Sequence, residues 1–257
     1  MQYVYGVATD VGNRKKINQD AILVETAETQ KGDVLFAIVC DGMGGLASGE
    51  KASEEVIAIF EEWFEQELPE ILSRKVEGVL MEYIKHSISK TVDIADAKVS
   101  EIGTDIDAEC GTTAAILLII ENKWLVMNIG DSRIYRIHHD EINQVTKDHS
   151  YVQREIDKGQ MTEEEAEKSP MRSVLLQCIG AGDMVVPDWF SGTVSPGDSF
   201  LLCSDGFRHK LKKEEMKKRL SVLDTEDLIT EELLRCIDDI KEAKERDNIT
   251  VAFIRCF

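Results

Sequence analysis

The chain alternates between short apolar runs and longer stretches in which apolar residues recur every three or four positions. The runs YVYGVATD at 3–10, DAILVE at 20–25 and VLFAIVCD at 34–41 predict an opening set of strands. Between 50 and 66, Ala52, Val56, Ile59, Phe60 and Trp63 recur at helical spacing. Leu72, Val76, Leu80, Tyr83, Ile84, Ile88, Val92 and Ala95 do the same. Both patterns predict amphipathic helices packed by one face. A second strand group follows: TTAAILLIIE, KWLVMNIG, RIYRIH and a short INQVT, with ENK at 121–123 as a hairpin turn between the first two. Residues 150–169 predict a solvated helical patch carrying the acidic run TEEEAEK. Then come the strand DSFLLCSD, two charged amphipathic helices at 213–221 and 224–244, and a closing strand NITVAFIRC.

Strands in groups separated by paired helices predict an α+β fold, antiparallel sheets covered by helices. With only four prolines, no Pro- or Ser-rich linker and no internal repeat, 1–257 is expected to be one domain. The amino terminus lacks a basic leader followed by an apolar stretch, and the longest apolar run, AAILLII at 114–120, is too short to span a bilayer. Six cysteines, at 40, 110, 178, 203, 236 and 256, form no CxxC pair, which argues against a zinc site or a disulfide framework. A reducing, cytoplasmic setting is the expectation. The net charge of −19, from 49 acidic and 30 basic residues, excludes nucleic acid and anionic membranes as natural partners.

The chemistry sits where the strands end. FAIVCDG and FLLCSDG share one design, an apolar strand delivering Asp41-Gly42 or Asp205-Gly206. LVMNIGD ends in Asp131, Asp247 precedes the last strand, and Asp20 opens the second. A lone Asp at a strand end is more often a turn former or helix cap than a ligand, and DGMGG at 41–45 is good turn chemistry. The other reading is that something approaches both the Asp41 carboxylate and the bare backbone beside it. Clustered carboxylates raise one another's pKa unless cations neutralise them. A set of oxygen ligands without paired His or Cys suits Mg²⁺ or Mn²⁺.

At these residues the sequence resembles the metal-dependent Ser/Thr protein phosphatases of type 2C, in their compact bacterial form. TDVGNRKKINQDA, DGMGGLASGEKAS, CGTTAA, NIGDSRIYR, TKDHS, CSDGF and RDNITV run in the family's order from residue 9 to 251. The resemblance implies a four-layer αββα sandwich, two antiparallel sheets each covered by a helix pair, with a flap at about 150–185. It implies that Asp41 bridges two Mn²⁺ or Mg²⁺ ions, with the Gly42 carbonyl as a further ligand and Asp205 and Asp247 completing the set. Asp20 would hold water, and Asp131 with Asp205 would hold a third, weaker ion. On that view Gly42 is small because a metal uses its carbonyl. Phosphorylated proteins are the implied substrates, a serine/threonine kinase the implied counterpart, and a monomer the expected state.

Unaided phosphate monoester hydrolysis needs accelerations up to ~10²¹, and a lone general base supplies roughly 10²–10⁴. Direct attack by a water bridging two cations is therefore expected, with no covalent phospho-enzyme. Two departures from the family pattern stand out. Met43 occupies a position where some members carry a His acid, and the family's phosphate-binding Arg falls on Lys15, one place after Arg14. A pseudophosphatase that binds phosphoproteins, and a metal phosphohydrolase acting on small molecules, are the competing readings.

Overall fold

In the computed structural model, which describes residues 1–44, 48–74, 78–105, 109–180 and 184–257, two antiparallel sheets pack face to face. One sheet holds β2 (Asp20–Thr29), β3 (Gly32–Gly44), β5 (Ala114–Ile120), β6 (Lys123–Ile129) and β9 (Asp188–Thr193) in that order, with short β4 (Cys110–Thr112) added to β3. The other runs β1 (Tyr3–Asp10), β11 (Ile249–Cys256), β10 (Ser199–Cys203), β7 (Arg133–His138), β8 (Glu141–Gln144).

The interior strands read as unbroken apolar runs because both of their faces are buried. Leu35, Ala37 and Val39 of β3 meet Phe200, Leu202, Ala252 and Ile254 of the opposite sheet. The alternate residues Phe36, Ile38 and Cys40 face α1 (Ser48–Glu62) and α3 (Leu80–Asp105). Leu201, Cys203, Val251 and Phe253 face outward in the same way, under α7 (Lys213–Leu220) and α8 (Glu226–Glu242). Each sheet thus has a helix layer outside and the other sheet inside, giving the four layers the resemblance implied. Phe36 anchors the first helix layer, 5.6 Å from the Trp63 and Phe64 rings and 6.3 Å from Phe60. Truncating such a residue to Ala costs about 3–5 kcal/mol.

The two first helical patterns differ from expectation at their ends. The first continues past Glu62 as a π-helical turn, Trp63–Glu67, into α2 (Leu68–Ser73). The second is not continuous from Leu72: α2 stops at Ser73, Gly78 adopts φ +83°, and α3 starts at Leu80. Val76 lies outside the described residues. Tyr83 is 44% exposed, whereas Ile84, Ile88, Val92 and Ala95 are buried, so the apolar stripe excludes it. The patch at 150–169 is two helices, α4 (Tyr151–Asp157) and α5 (Glu163–Lys168), separated by a turn in which Gly159 has φ +69°. The hairpin is tighter than ENK suggested, since Ile120 pairs with Lys123 across Glu121 and Asn122 alone. Strand β9 went unanticipated, because DWFSGT carries too few apolar residues to stand out.

Candidate metal centre

The antiparallel pairings bring one end of each sheet to a common rim. Asp20 at the start of β2 lies opposite Asp41 near the end of β3. In the other sheet Asp10 pairs with Ile249, and Cys203 with Val251, so the chain leaving β10 and the chain entering β11 emerge side by side. Asp205 is the first residue of α6 (Asp205–Arg208), directly after Ser204. The two Asp-Gly sites are therefore not twins. Asp41 sits within a strand, because β3 continues through Gly44 by pairing with β4 from Gly42 to Gly44. Asp205 opens a helix. No turn forms at Asp41-Gly42, and Gly45 lies outside the described residues.

Gly42 has another physical reason. A Cβ there would stand 2.1 Å from the Gly49 carbonyl oxygen and 2.5 Å from that of Gln19. The Gly42 amide donates to the same Gln19 carbonyl at 3.0 Å. The start of α1 is seated directly on the strand that carries Asp41. Gly206 is just as tight, its Cβ position falling 2.0 Å from the Asn248 carbonyl oxygen.

Side chains that no sequence argument singled out fix the rim. The Ser204 hydroxyl donates to Asp20 Oδ2 at 2.7 Å, joining one sheet to the other, and the Thr250 amide donates to Ser204 Oγ at 3.2 Å. Asn248 ties the 10–20 loop to β11. Its Oδ1 accepts from the Gln19 amide at 3.0 Å, and its Nδ2 donates to the Val11 and Ile17 carbonyls at 2.9 and 3.1 Å. Asp41 is held through its backbone, which exchanges 2.9 Å bonds with Thr113. Glu245 accepts from the amides of Arg246 at 2.7 Å and Asp247 at 3.2 Å, shaping the approach to Asp247. Burial would raise Glu245, but His209 and these amides hold it down at about 2. Ser204 and Asn248 lie within quoted motifs; nothing in the sequence pattern pointed to Glu245.

Electrostatics show how closely the carboxylates converge. The protein packed around Asp41, together with the charges of Asp20, Asp205, Asp131 and Asp247, pushes it well above the usual carboxylate range. Burial also lifts Asp20 against the opposing bonds from Ser204 and Thr250, with Asp205 and Asp247 adding repulsion. Asp131 is raised by burial, pulled back by Arg208, and raised again by Asp205 and Asp148. Of the two basic candidates, Lys15 reaches the cluster. Its Nζ pairs with Asp247 Oδ1 at 2.8 Å, and burial notwithstanding, Asp247, Asp41 and Asp205 hold the ammonium firmly protonated. Arg14 is exposed.

The donor chemistry suits a hard cation. Asp20 Oδ1 and Asp205 Oδ1 are buried without a hydrogen-bond partner, a costly state that an ion would relieve. Among the described residues, however, no group of three His, Cys, Asp or Glu side chains is arranged so that it could hold a metal ion. Lys15 already holds one of the expected ligands, Asp247, in an ion pair.

Four packed layers with an oxygen-only carboxylate rim where the two sheets meet are the architecture of a metal-dependent hydrolase. The family model described as protein phosphatase 2C matches residues 12–239, and the chain belongs to that family. It is 32% identical over 252 residues to protein phosphatase PhpP of Streptococcus pneumoniae, covering 96% of this chain and 94% of that one. The structure of a Streptococcus agalactiae serine/threonine phosphatase superposes with a TM-score of 0.83 at 26% identity, over 100% of both chains. The catalytic domain of serine/threonine protein phosphatase PstP, solved with two manganese ions, gives 0.78 at 25% identity, over 98% of this chain and 97% of that one.

Proposed function

We propose that this chain removes phosphate from phosphoserine and phosphothreonine in proteins. Asp41, the Gly42 carbonyl, Asp205 and Asp247 would hold two divalent cations, Mn²⁺ or Mg²⁺. The observation that carries this reading is the convergence of five aspartates from five chain segments on one rim, two of them with orphaned buried oxygens. When bound, two such cations would supply a water activated at neutral pH and screen the phosphoryl oxygens.

The chain's own groups then have distinct tasks. Asp20, fixed by Ser204, presents its unpartnered oxygen toward the rim, where it can orient a water by accepting its proton in a hydrogen bond. Lys15 supplies the positive charge for a phosphate, once it leaves Asp247. Met43 has no proton to give, so the leaving group takes its proton from water. The segment 150–185 would form the flap beside the site; 181–183 lie outside the described residues.

Among the described residues no helix is long and apolar enough to cross a membrane. The six cysteines form no disulfide among the described residues, and five of them are buried, which supports a reducing setting. We read the protein as a cytoplasmic monomer that opposes a serine/threonine kinase.

Hydrolysis of a phosphothreonine peptide, compared with a nucleotide, tests this function. Activity should require Mn²⁺ or Mg²⁺ and vanish with chelator, and the peptide should be the better substrate. Asp41→Asn or Asp205→Asn should cost more than the ~10–100-fold typical of residues that merely support a ligand. Full activity after exhaustive chelation would overturn the two-cation reading, and preference for the nucleotide would overturn the protein substrate.

A further inference from the structure

Arg208 lies one helical turn beyond Asp205 in α6, and its guanidinium turns inward instead of toward solvent. Nη2 donates to Asp131 Oδ2 at 3.1 Å and to the Asp131 carbonyl at 3.3 Å, with Asp148 Oδ2 at 3.5 Å. The side chains are 13% exposed for Arg208, 9% for Asp131 and 6% for Asp148. Asp148 is already gripped by Arg133, whose Nε and Nη2 each stand 2.8 Å from one of its oxygens. Two guanidinium groups and two carboxylates thus form a chain, Arg133–Asp148–Arg208–Asp131, beside the cluster, with Arg133 24% exposed at its outer end. Its two positive and two negative formal charges match in number.

The resemblance assigned Asp131, with Asp205, to a third and weaker cation. Yet one of the two Asp131 carboxylate oxygens, Oδ2, is already held by Arg208. We propose that Arg208 takes the place of the third cation, a charge fixed to α6 that occupies Asp131 permanently and leaves the chain a two-ion enzyme. This deepens the two-cation reading and rests on it. A guanidinium is suited to the substitution because it stays charged at any working pH, is weakly hydrated and donates along fixed directions. A divalent ion entering at Asp131 would meet a carboxylate whose Oδ2 already carries the Arg208 guanidinium, and two positive charges would then compete for it.

Counting bound Mn²⁺ by calorimetry and by anomalous diffraction at millimolar Mn²⁺ tests the proposal without reference to activity. The parent protein and Asp131→Asn should each bind two ions. Arg208→Met should gain a third, which Arg208→Met combined with Asp131→Asn should lose again. Arg208→Lys, which keeps a positive charge and so guards against a misfolded Met variant, should remain at two. A third ion on the parent that disappears in Asp131→Asn would overturn the proposal while leaving the two-cation reading intact. No gain in a folded Arg208→Met protein would overturn it as well. Fewer than two ions on the parent would remove the reading beneath it, and the proposal with it.

Discussion

Lys15 Nζ stands 2.8 Å from Asp247 Oδ1, so the base proposed to bind phosphate and a candidate metal ligand are paired with each other. The run NRKK at 13–16 offers three neighbouring bases, and Lys15 is the one paired with Asp247 of the cluster.

Two opposite effects should follow in one variant. Lys15→Ala should raise KM for a phosphopeptide about tenfold, equivalent to ~1.4 kcal/mol of lost contact. It should also tighten Mn²⁺ binding, because Asp247 no longer has to be released from an ammonium. Lys15→Arg should preserve or lower KM, and Arg14→Ala should leave both quantities near the parent values. Steady-state kinetics and calorimetry on the same preparations decide it. Should Arg14→Ala prove the damaging change, the phosphate contact belongs to Arg14.

Metal-free protein should lose stability as pH rises. Asp20 and Asp131 are lifted from 3.8 to about 7, burial being the main cause, and Asp41 is likewise raised well above the usual carboxylate range. Groups raised in the folded state favour folding below their unfolded pKa, and that contribution disappears as pH climbs through the folded value. The chelated protein should therefore lose this stabilisation between about pH 4 and pH 7, and Mn²⁺ should restore it. Asp10, held down by Lys241 and the Gly12 amide against burial, acts in the opposite sense at the acid end. Comparing the parent with Asp41→Asn isolates the cluster. The variant should melt higher than the parent without metal at pH 7, and gain little from Mn²⁺. A metal-free variant that melts lower would show that the cluster is not repulsive.

Gly42→Ala separates packing from ligation. The added methyl would meet two backbone carbonyls, at 2.1 and 2.5 Å, neither of which can rotate away. Overpacking of this kind costs roughly 1–3 kcal/mol, so the melting temperature should fall equally with and without Mn²⁺. A loss confined to the Mn²⁺-loaded protein would return Gly42 to a purely metal-related role.

The layers were legible in the sequence because β3, β5, β10 and β11 are buried on both faces and α8 on one, and each leaves its own periodicity. The helix break after Ser73 and strand β9 were not, since the former turns on a backbone conformation and the latter on edge pairing with β6. At the site, the five aspartates stood out by position, at the ends of apolar runs. Ser204, Glu245 and Arg208 did not, because their importance comes from what lies opposite them in space. Ser204 reaches Asp20 across 184 residues of chain and Arg208 reaches Asp131 across 77. Ordered motifs supplied the ligand candidates, and only the packed structure showed an arginine already seated on one of them.

Strand β11 lies between β1 and β10, and among the described strands β1 pairs with it alone. During synthesis, then, the opening strand waits for a segment made more than two hundred residues later. Until that segment arrives, Asp247 is missing from the rim and Asn248 is not there to hold the Val11 and Ile17 carbonyls. The loop bearing Lys15 lacks those two ties in the interval. A nascent chain on the ribosome accordingly holds an incomplete rim, however much of the first sheet it has already built. The rim closes as a single late event, when the interior strand slots home.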